Sequence, residues 1–289
     1  MNLHTIGSAL RDAAALIGSI SDTARLDAEV LLARVTGKTR AHFFAWLDRE
    51  LGGVEAAEFR ALVQKRCDGI PIAYLTGMRE FWSREFAVTP DVLIPRPETE
   101  LLVELALERI PVDRPVSIAD LGTGSGALAV TLALERPLAQ VTALDLSPAA
   151  IAVAKHNAES LGASNVRFVV SDWFSALGKE ERFDLIVSNP PYIAHGDPHL
   201  SEGDVRFEPE SALSSGPDGL DDIRRITRDA PGYLNERGWL LFEHGFDQAD
   251  AARAILHNAN FIDIASHRDW QGHDRTTTGR KRPALESTI

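Results

Sequence analysis

From residue 99 to the end, the sequence alternates between short apolar runs and segments with helical spacing. The apolar runs, in chain order, are VSIADLG, QVTALDLS, VRFVVSD, FDLIVSN and GWLLFEHG. Because helical segments such as SPAAIAVAKHNAESLG separate them, the pattern predicts a parallel sheet with both faces covered by helices. Two further runs, FIDIASHRD and RTTTGRKR, lie close enough along the chain to form an antiparallel hairpin at the sheet edge. We therefore expect an α/β fold around a seven-stranded, mostly parallel sheet.

The residues before this region divide into two stretches. Residues 1–78 place apolar side chains three and four positions apart, as in LDAEVLLARVTG, which predicts a small α-helical bundle. Residues 79–98, REFWSREFAVTPDVLIPRPE, alternate aromatic and polar side chains and then turn at prolines, which favours a hairpin or an extended linker. The helix expected from TELLVELALERI begins the third stretch, 99–289, with Thr99 as its N-cap.

Hydropathy and cysteine content narrow the class of protein. No apolar run approaches the roughly 18 residues of a membrane span, and no basic segment precedes the first apolar residues. We expect a cytoplasmic protein that does not associate with membranes. Cys67 is the only cysteine, which excludes an intrachain disulfide and a Cys-rich zinc site, and no metal site is predicted. Cys67 itself is expected to be a buried, unreactive thiol.

The formal net charge is −12, and the acidic excess lies beyond the first 80 residues. Those 80 residues carry ten basic and ten acidic side chains, whereas the remaining residues carry 20 and 32. Proteins that bind nucleic acid usually neutralise its phosphates with clustered Lys and Arg. Nucleic acid is therefore not the expected substrate.

A glycine-rich loop, LGTGSGA, connects the first strand of the sheet to a helix. Gly122, Gly124 and Gly126 allow a sharp turn and a close approach of the backbone to a ligand, and the helix N-terminus offers unpaired N–H groups. Asp145 ends the next strand, 23 residues after Gly122, where a carboxylate can accept both hydroxyls of a ribose. With Ala127 the loop also fits a dinucleotide-binding pattern, so these residues predict a nucleoside-type cofactor without identifying it.

Asp172 and Trp173 end the third strand in the same row of strand ends. A carboxylate and a flat apolar ring suit an adenine, because the acid can accept from the exocyclic amine and the ring can stack. We expect both side chains to contact the cofactor, although a lone Trp is more often a core residue.

The sequence SNPPYIAHGD follows the fourth strand and places two prolines where a sheet ladder cannot continue. A planar nitrogen with a delocalised lone pair is a poor nucleophile, and a site can help by accepting its two N–H bonds at fixed positions. The Asn189 side-chain oxygen and the Pro190 carbonyl are the predicted acceptors, held by the rigid Pro190–Pro191 pair, with the Tyr192 ring against the substrate. His195 is expected to be a surface histidine rather than a base, within a loop, AHGDPHLSEGDVRF, near the crevice mouth.

These segments together resemble the S-adenosylmethionine-dependent methyltransferases, and within them the PrmC/HemK family, which methylates a glutamine of class I release factors. The resemblance covers nearly the whole chain. It rests on PIAYLTGMREFWSREFAVTPDVLIPRPETELLV, DLGTGSGALAV, SNPPYI, DVRFEPESAL, GPDGLDDIRRI and FEHGFDQ. It implies a Rossmann-like methyltransferase sheet preceded by a helical substrate-binding domain, and S-adenosylmethionine as the cofactor.

The resemblance also implies a role for each matching residue. The loop Gly122, Thr123, Gly124, Ser125 and Gly126 is expected to hold the methionine part of the cofactor, Asp145 its ribose, and Asp172 and Trp173 its adenine. Pro97 and Glu98 are expected to border the cofactor, and Asn189 to border both cofactor and substrate. Asn189, Pro190, Pro191 and Tyr192 are expected to receive the glutamine amide. The implied partner is a class I peptide chain release factor bound by a monomer.

Three alternatives remain open at this point. A nucleic-acid amino-methyltransferase also carries Asn-Pro-Pro-Tyr, but it requires a basic groove that the net charge disfavours. A non-catalytic module would bind the cofactor or a partner without transferring a methyl group. A dehydrogenase is compatible with the glycine loop alone.

Overall fold

The computed structural model describes residues 5–283, which divide into two compact units. The first unit contains the described residues up to Met78 together with Ser201–Phe207. The second contains Arg79–Leu200 and the described residues from Glu208 onward. The segment Ser201–Phe207 is thus part of a unit from which it is distant along the chain.

The first unit is a bundle of short helices around an apolar core. Its helices are α1 (Ile6–Ile17), α2 (Ala24–Thr36), α3 (Arg40–Ala45), α4 (Gly53–Cys67) and α5 (Ile72–Thr76). Thr5 begins α1 with a reciprocal capping box to Ser8. Leu10, Leu31 and Phe59 are fully buried in the core between these helices.

A buried ion cluster holds Ser201–Phe207 within this first unit. Arg66 is 6% exposed, and its Nε donates to Asp27 Oδ2 at 3.0 Å while one terminal nitrogen donates to Asp204 Oδ1 at 2.8 Å. A buried arginine is stable only when its charge is paired and its donors are satisfied.

Cys67 is half-buried rather than fully buried, and burial raises the pKa of its thiol, which disfavours the reactive thiolate.

The second unit is built on a large sheet whose strands follow the predicted apolar runs. A small hairpin of β1 (Met78–Phe81) and β2 (Arg84–Ala87) comes first. The strands of the large sheet are β3 (Ser117–Leu121), β4 (Gln140–Asp145), β5 (Val166–Val170), β6 (Phe183–Ser188), β7 (Leu234–Glu243), β8 (Phe261–Arg268) and β9 (Asp274–Lys281). Their order among the described residues is β5-β4-β3-β6-β7-β9-β8, and only the pairings of β9 are antiparallel. The predicted seven-stranded, mostly parallel sheet is confirmed.

Helices cover both faces of the sheet and bury its apolar side chains in two cores. They are α6 (Glu100–Arg109), α7 (Ala127–Glu135), α8 (Pro148–Leu161), α9 (Asp221–Asp229) and α10 (Ala249–Asn258). One core lies between the sheet and α6 to α8, and the other between the sheet and α9 and α10. From β3 the chain moves outward to β4 and β5, then returns to β6 on the other side of β3. This reversal leaves a crevice at the carboxyl ends of the strands, where open α/β sheets bind ligands.

Thr99 occupies the N-cap position of α6, as predicted, but its side chain does not cap the helix. Thr99 has helical backbone angles (φ −67°, ψ −17°), and its side chain makes no bond to the first turn of α6. An N-cap side chain reaches the helix amides from an extended backbone. The Thr99 hydroxyl instead donates to Glu243 Oε2 at 2.7 Å.

Within residues 5–283, no helix combines the length and apolar character that a membrane crossing requires.

Candidate active site

The glycine loop between β3 and α7 has backbone angles that explain its sequence. Gly122, Gly124 and Gly126 have φ values of +74°, +54° and +82°, a region that favours glycine. A Cβ on Gly126 would lie 3.0 Å from the Ala154 Cβ on α8, so this glycine lets α7 and α8 approach closely. A Cβ on Gly124 would meet no described atom within 4 Å, because the loop is open to the crevice there.

Asp145 fixes the open side of the glycine loop. Its Oδ2 accepts from the Gly124 N–H at 2.8 Å and its Oδ1 from the Ser147 N–H at 2.9 Å. Burial raises the pKa of Asp145, and the two backbone donors lower it. Each carboxylate oxygen has a further lone pair, so Asp145 can accept from a pair of ligand hydroxyls without losing these bonds.

Asp120, beneath the loop, was missed by the sequence analysis. Its Oδ2 accepts from the Thr123 hydroxyl at 2.6 Å and from the Ala129 N–H at 3.2 Å, and its Oδ1 has no partner among the described residues. Complete burial raises the pKa of Asp120 to about 7. The available signal was an acidic residue inside the otherwise apolar run VSIADLG, because such a residue must have a reason for its burial.

The wall formed by Asp172 and Trp173 is supported by α9. The Trp173 indole N–H donates to Asp222 Oδ1 at 3.1 Å, and Arg225 donates to Asp172 Oδ2 at 2.6 Å. The Ser215 hydroxyl donates to Asp222 Oδ2 at 2.7 Å. Asp222 and Arg225 also line the crevice and were not predicted as site residues, although they lie in the quoted segment GPDGLDDIRRI.

The Asn189 side chain follows β6 and is held in one orientation. Its Nδ2 donates to Thr99 Oγ1 at 3.1 Å, which places the amide N–H groups on the Thr99 side. Within residues 5–283, neither Asn189 Oδ1 nor the Pro190 carbonyl accepts a hydrogen bond. Two acceptors with free lone pairs therefore lie on consecutive residues of a stiff bend.

Tyr192 is anchored at both ends. Its hydroxyl donates to Glu243 Oε1 at 3.1 Å, and its carbonyl accepts from Gln248 Nε2 at 2.9 Å. Burial and the neighbouring Glu243 raise the pKa of Tyr192, so its hydroxyl stays protonated. Glu243, 1% exposed at the end of β7, was not assigned a role by the sequence analysis, although it lies in FEHGFDQ.

These elements enclose a cavity of about 490 Å³ at the switch point of the sheet. The predicted site residues that line it are Gly122, Thr123, Gly124, Ser125, Asp145, Asp172, Trp173, Asn189 and Pro191. The predicted residues outside its lining are Pro97, Glu98, Gly126, Pro190 and Tyr192. Pro95 and Thr99, which precede and follow Pro97 and Glu98 in the chain, are part of the lining. Within the described part of the chain, no group of three or more His, Cys, Asp or Glu side chains is placed to hold a metal ion.

His195 lies outside this cavity and is exposed. The His195 ring Nε2 accepts from the Gly216 N–H at 3.2 Å. The His195 backbone N–H donates to the Gly216 carbonyl at 2.8 Å. The His195 ring therefore joins two parts of the 193–216 loop.

The strand order, the glycine loop, Asp145 and the Asn-Pro-Pro-Tyr bend define the class of Rossmann-like methyltransferases with a nucleoside cofactor. The structure of a T. thermophilus 16S rRNA N2 G1207 methyltransferase in complex with AdoMet and guanosine shares this fold. It aligns with a TM-score of 0.53 and 22% identity, covering 71% of this chain and 50% of that chain.

Comparisons of the sequence identify the family. The family model described as the PrmC N-terminal domain matches residues 8–77, and the methyltransferase small domain matches residues 98–203. The release factor glutamine methyltransferase of Salmonella typhimurium is 50% identical over 281 residues, 97% of this chain and 98% of that protein. The Escherichia coli (strain K12) protein of the same name is 46% identical over 260 residues, covering 90% and 93%. The chain belongs to the release factor glutamine methyltransferase family, as the sequence resemblance implies.

Proposed function

We propose that the protein transfers a methyl group from S-adenosylmethionine to the side-chain amide nitrogen of the glutamine in the Gly-Gly-Gln motif of class I release factors. The relatives that align over most of the chain carry the name of this activity. The observation in the structure that best supports the proposal is the orientation of Asn189, whose oxygen is free to accept an amide N–H. The acceptors suit a planar nitrogen rather than a hydroxyl or thiol nucleophile.

The cavity residues fit the cofactor. A volume of about 490 Å³ lies within the usual range of roughly 300–1,000 Å³ for small-molecule sites. We assign Asp145 to the ribose hydroxyls, since its two backbone bonds leave one lone pair on each oxygen. The open face of the loop at Gly124 is assigned to the methionine part. Trp173 offers a flat apolar face to adenine, and the Asp172 oxygen that Arg225 does not occupy can accept from the exocyclic amine.

Bound S-adenosylmethionine supplies an electrophilic methyl group on a positively charged sulfur. The chain's task is to present the amide nitrogen, whose lone pair is delocalised into the carbonyl. Asn189 Oδ1 and the Pro190 carbonyl each accept one N–H, which fixes the plane of the amide and aims the nitrogen along one line. Fixed acceptors need no reorganisation during the reaction, and the two prolines keep them in place.

Proton removal needs no strong base in this scheme. An amide that gains a methyl group on nitrogen becomes cationic and acidic, so water can accept the proton. His195 is not required, and its Nε2 is occupied by the Gly216 N–H. Of the two N–H protons, one leaves to solvent and the other remains on the nitrogen, which gives a neutral methylated amide.

We assign binding of the release factor to residues 1–78, with residues 79–98 as the connection and 99–289 as the catalytic domain. The acidic excess beyond residue 80 would attract a basic protein substrate, which makes nucleic acid a poor alternative. Because release factors act in translation, we propose that the enzyme is cytoplasmic. We further propose that it acts as a monomer.

Four parallel reactions with methyl-labelled S-adenosylmethionine test the function. The acceptors are a class I release factor, the same factor with the Gly-Gly-Gln glutamine changed to glutamate, DNA and RNA. Label is expected only in the unchanged release factor, because glutamate has no amide nitrogen. Equal label in the glutamate variant, or label confined to nucleic acid, would contradict the proposal.

A further inference from the structure

Four side chains from three separate parts of the second unit form one continuous hydrogen-bond chain behind the proposed acceptor. Asn189 Nδ2 donates to Thr99 Oγ1 at 3.1 Å, and the Thr99 hydroxyl donates to Glu243 Oε2 at 2.7 Å. The Tyr192 hydroxyl donates to Glu243 Oε1 at 3.1 Å from the other side. Thr99 and Glu243 are 5% and 1% exposed, so water does not compete for these bonds.

The direction of each bond in this chain follows from the carboxylate at its end. Both Glu243 oxygens accept, one from the Thr99 hydroxyl and one from the Tyr192 hydroxyl, and each hydroxyl has a single proton to donate. Because the Thr99 proton is directed at Glu243, Thr99 Oγ1 can offer only a lone pair to Asn189. The Asn189 amide must then turn its NH₂ group toward Thr99 and its Oδ1 away from it.

This direction matters because the two ends of an asparagine amide have nearly the same shape. A flipped Asn189 would fit the same space, but it would present N–H donors where the substrate amide also presents N–H donors. The flipped form would repel the substrate nitrogen instead of orienting it. Shape alone does not select the productive form, so an electrostatic constraint is required.

We propose that Glu243 is a positioning residue that, through Thr99, holds the Asn189 oxygen toward the substrate amide. The proposal rests on the proposed function of Asn189 as an acceptor. Through the Tyr192 hydroxyl, the same carboxylate also holds the far end of the Asn-Pro-Pro-Tyr bend. Glu243 touches neither the substrate nor the cofactor in this arrangement, and it acts only through these two neighbours.

The surroundings of Glu243 support a functional reason for its burial. Burial is the largest influence on Glu243 and raises its pKa, because it disfavours the charged form. The Thr99 and Tyr192 hydroxyls and the charge of Arg275 lower this pKa, and the charge of Glu98 raises it. A buried carboxylate at the end of a core strand contributes little to the free energy of unfolding, because an apolar side chain would pack there without the desolvation penalty. Of the two hydroxyl donors that it orients, Thr99 lines the cavity and Tyr192 ends the Asn-Pro-Pro-Tyr bend.

The test compares Glu243→Gln and Thr99→Val with wild type in release factor methylation. Glutamine can donate as well as accept, so Thr99 can reverse its hydroxyl, and valine removes the hydroxyl altogether. Each variant is expected to lower kcat about 10- to 100-fold, as the loss of an oriented donor or acceptor does in other sites. The Kd of S-adenosylmethionine and the melting temperature should change little. Thr99→Ser, which restores the hydroxyl, should recover most of the lost rate.

Two further measurements separate positioning from general damage. Thr227→Val makes the same chemical change at a buried hydroxyl in α9 that has no partner among the described residues, and kcat should stay within about twofold of wild type. The double variant Thr99→Val with Glu243→Gln should be no slower than the worse single variant, because both act on one chain of bonds. In protein labelled with ¹⁵N-asparagine, the Asn189 side-chain N–H signals should show contacts to the Thr99 methyl group in wild type and lose them in Glu243→Gln.

The outcomes distinguish the two proposals. If wild type transfers no methyl group to the release factor, the proposed function fails. If wild type is active and Glu243→Gln keeps its kcat and its Asn189 contacts, the role of Glu243 is overturned. If Glu243→Gln loses cofactor binding or stability in proportion to its rate, its role is structural and the positioning proposal is equally overturned.

Discussion

Gly124 donates its backbone N–H to Asp145 Oδ2 at 2.8 Å, so the glycine loop and the end of β4 hold each other in place. The bond joins residues 21 positions apart, and it crosses from one parallel strand end to the next. The same carboxylate that orders the loop is the one assigned to the ribose. Loop geometry and cofactor affinity are therefore coupled through a single side chain.

Asp145→Ala should weaken S-adenosylmethionine binding first. The variant loses the charge-assisted bonds to the ribose and frees the Gly124 N–H, and a loss of about 1.5–3 kcal/mol corresponds to a Kd raised roughly 10- to 100-fold. Isothermal titration calorimetry measures this directly. Asp172→Asn is the comparison, because the Asp172 side chain is 42% exposed and paired with Arg225, and it should lose less affinity. A change in kcat alone would give Asp145 a different role.

Asn189→Ala should lower turnover while leaving the cofactor bound. Removing Oδ1 leaves one substrate N–H unpaired, and the expected loss in kcat is about 100-fold or more. Single-turnover methylation of the release factor measures the loss in the chemical step. The cofactor Kd, measured in parallel, shows whether binding is retained. Unchanged turnover would remove the acceptor role of Asn189.

Asp120 should make the stability of the second unit depend on pH. Its pKa is about 7 in the folded protein and about 3.9 in the unfolded chain, so the folded state binds the proton more tightly. The resulting stabilisation is complete below about pH 4 and is lost as pH rises to 7, about 4 kcal/mol in total. Asp120→Asn should remove this part of the pH dependence of the unfolding free energy, measured by urea denaturation between pH 5 and 8. Asp113→Asn, at an exposed position, should leave the slope as in wild type.

Two alanine substitutions in the glycine loop should have different consequences. Gly126→Ala combines φ +82° with a 3.0 Å approach to the Ala154 Cβ, and it should destabilise the fold by about 2–4 kcal/mol. Gly124→Ala meets no described atom within 4 Å, so it should cost only about 1–2 kcal/mol of backbone strain but reduce cofactor affinity by narrowing the crevice. Thermal melts and calorimetric titrations of both variants test this contrast. Equal effects of the two on stability would contradict it.

The strands and the glycine loop were predictable because local residues specify them. Apolar runs of strand length separated by helical spacing led directly to the observed sheet, including its antiparallel C-terminal strands. The glycines at Gly122, Gly124 and Gly126 correspond to three positive φ values within five residues. Pro97 and Glu98 do not line the cavity, although Pro95 and Thr99 of the same segment do.

Pairings between residues that are far apart in the chain were not predictable from local patterns. Thr99 has the sequence position of a helix cap, yet its hydroxyl meets Glu243, 144 residues away. Trp173 was placed in the crevice, but its hydrogen-bond partner Asp222 lies 49 residues further along the chain. Ser201–Phe207 joins the first unit through Asp204 and Arg66, which are 138 residues apart.

The sequence by itself determined the strand and helix pattern, the turn at the glycine loop and the stiffness of the Asn-Pro-Pro-Tyr bend. Each of these follows from the backbone preferences of a few adjacent residues. Only the tertiary structure decided which way the Asn189 amide faces, which carboxylate orders Thr99 and Tyr192, and which helix supports Trp173. Such pairings depend on which strand ends become neighbours in the sheet, and β6 lies between β3 and β7 only after the whole sheet has assembled.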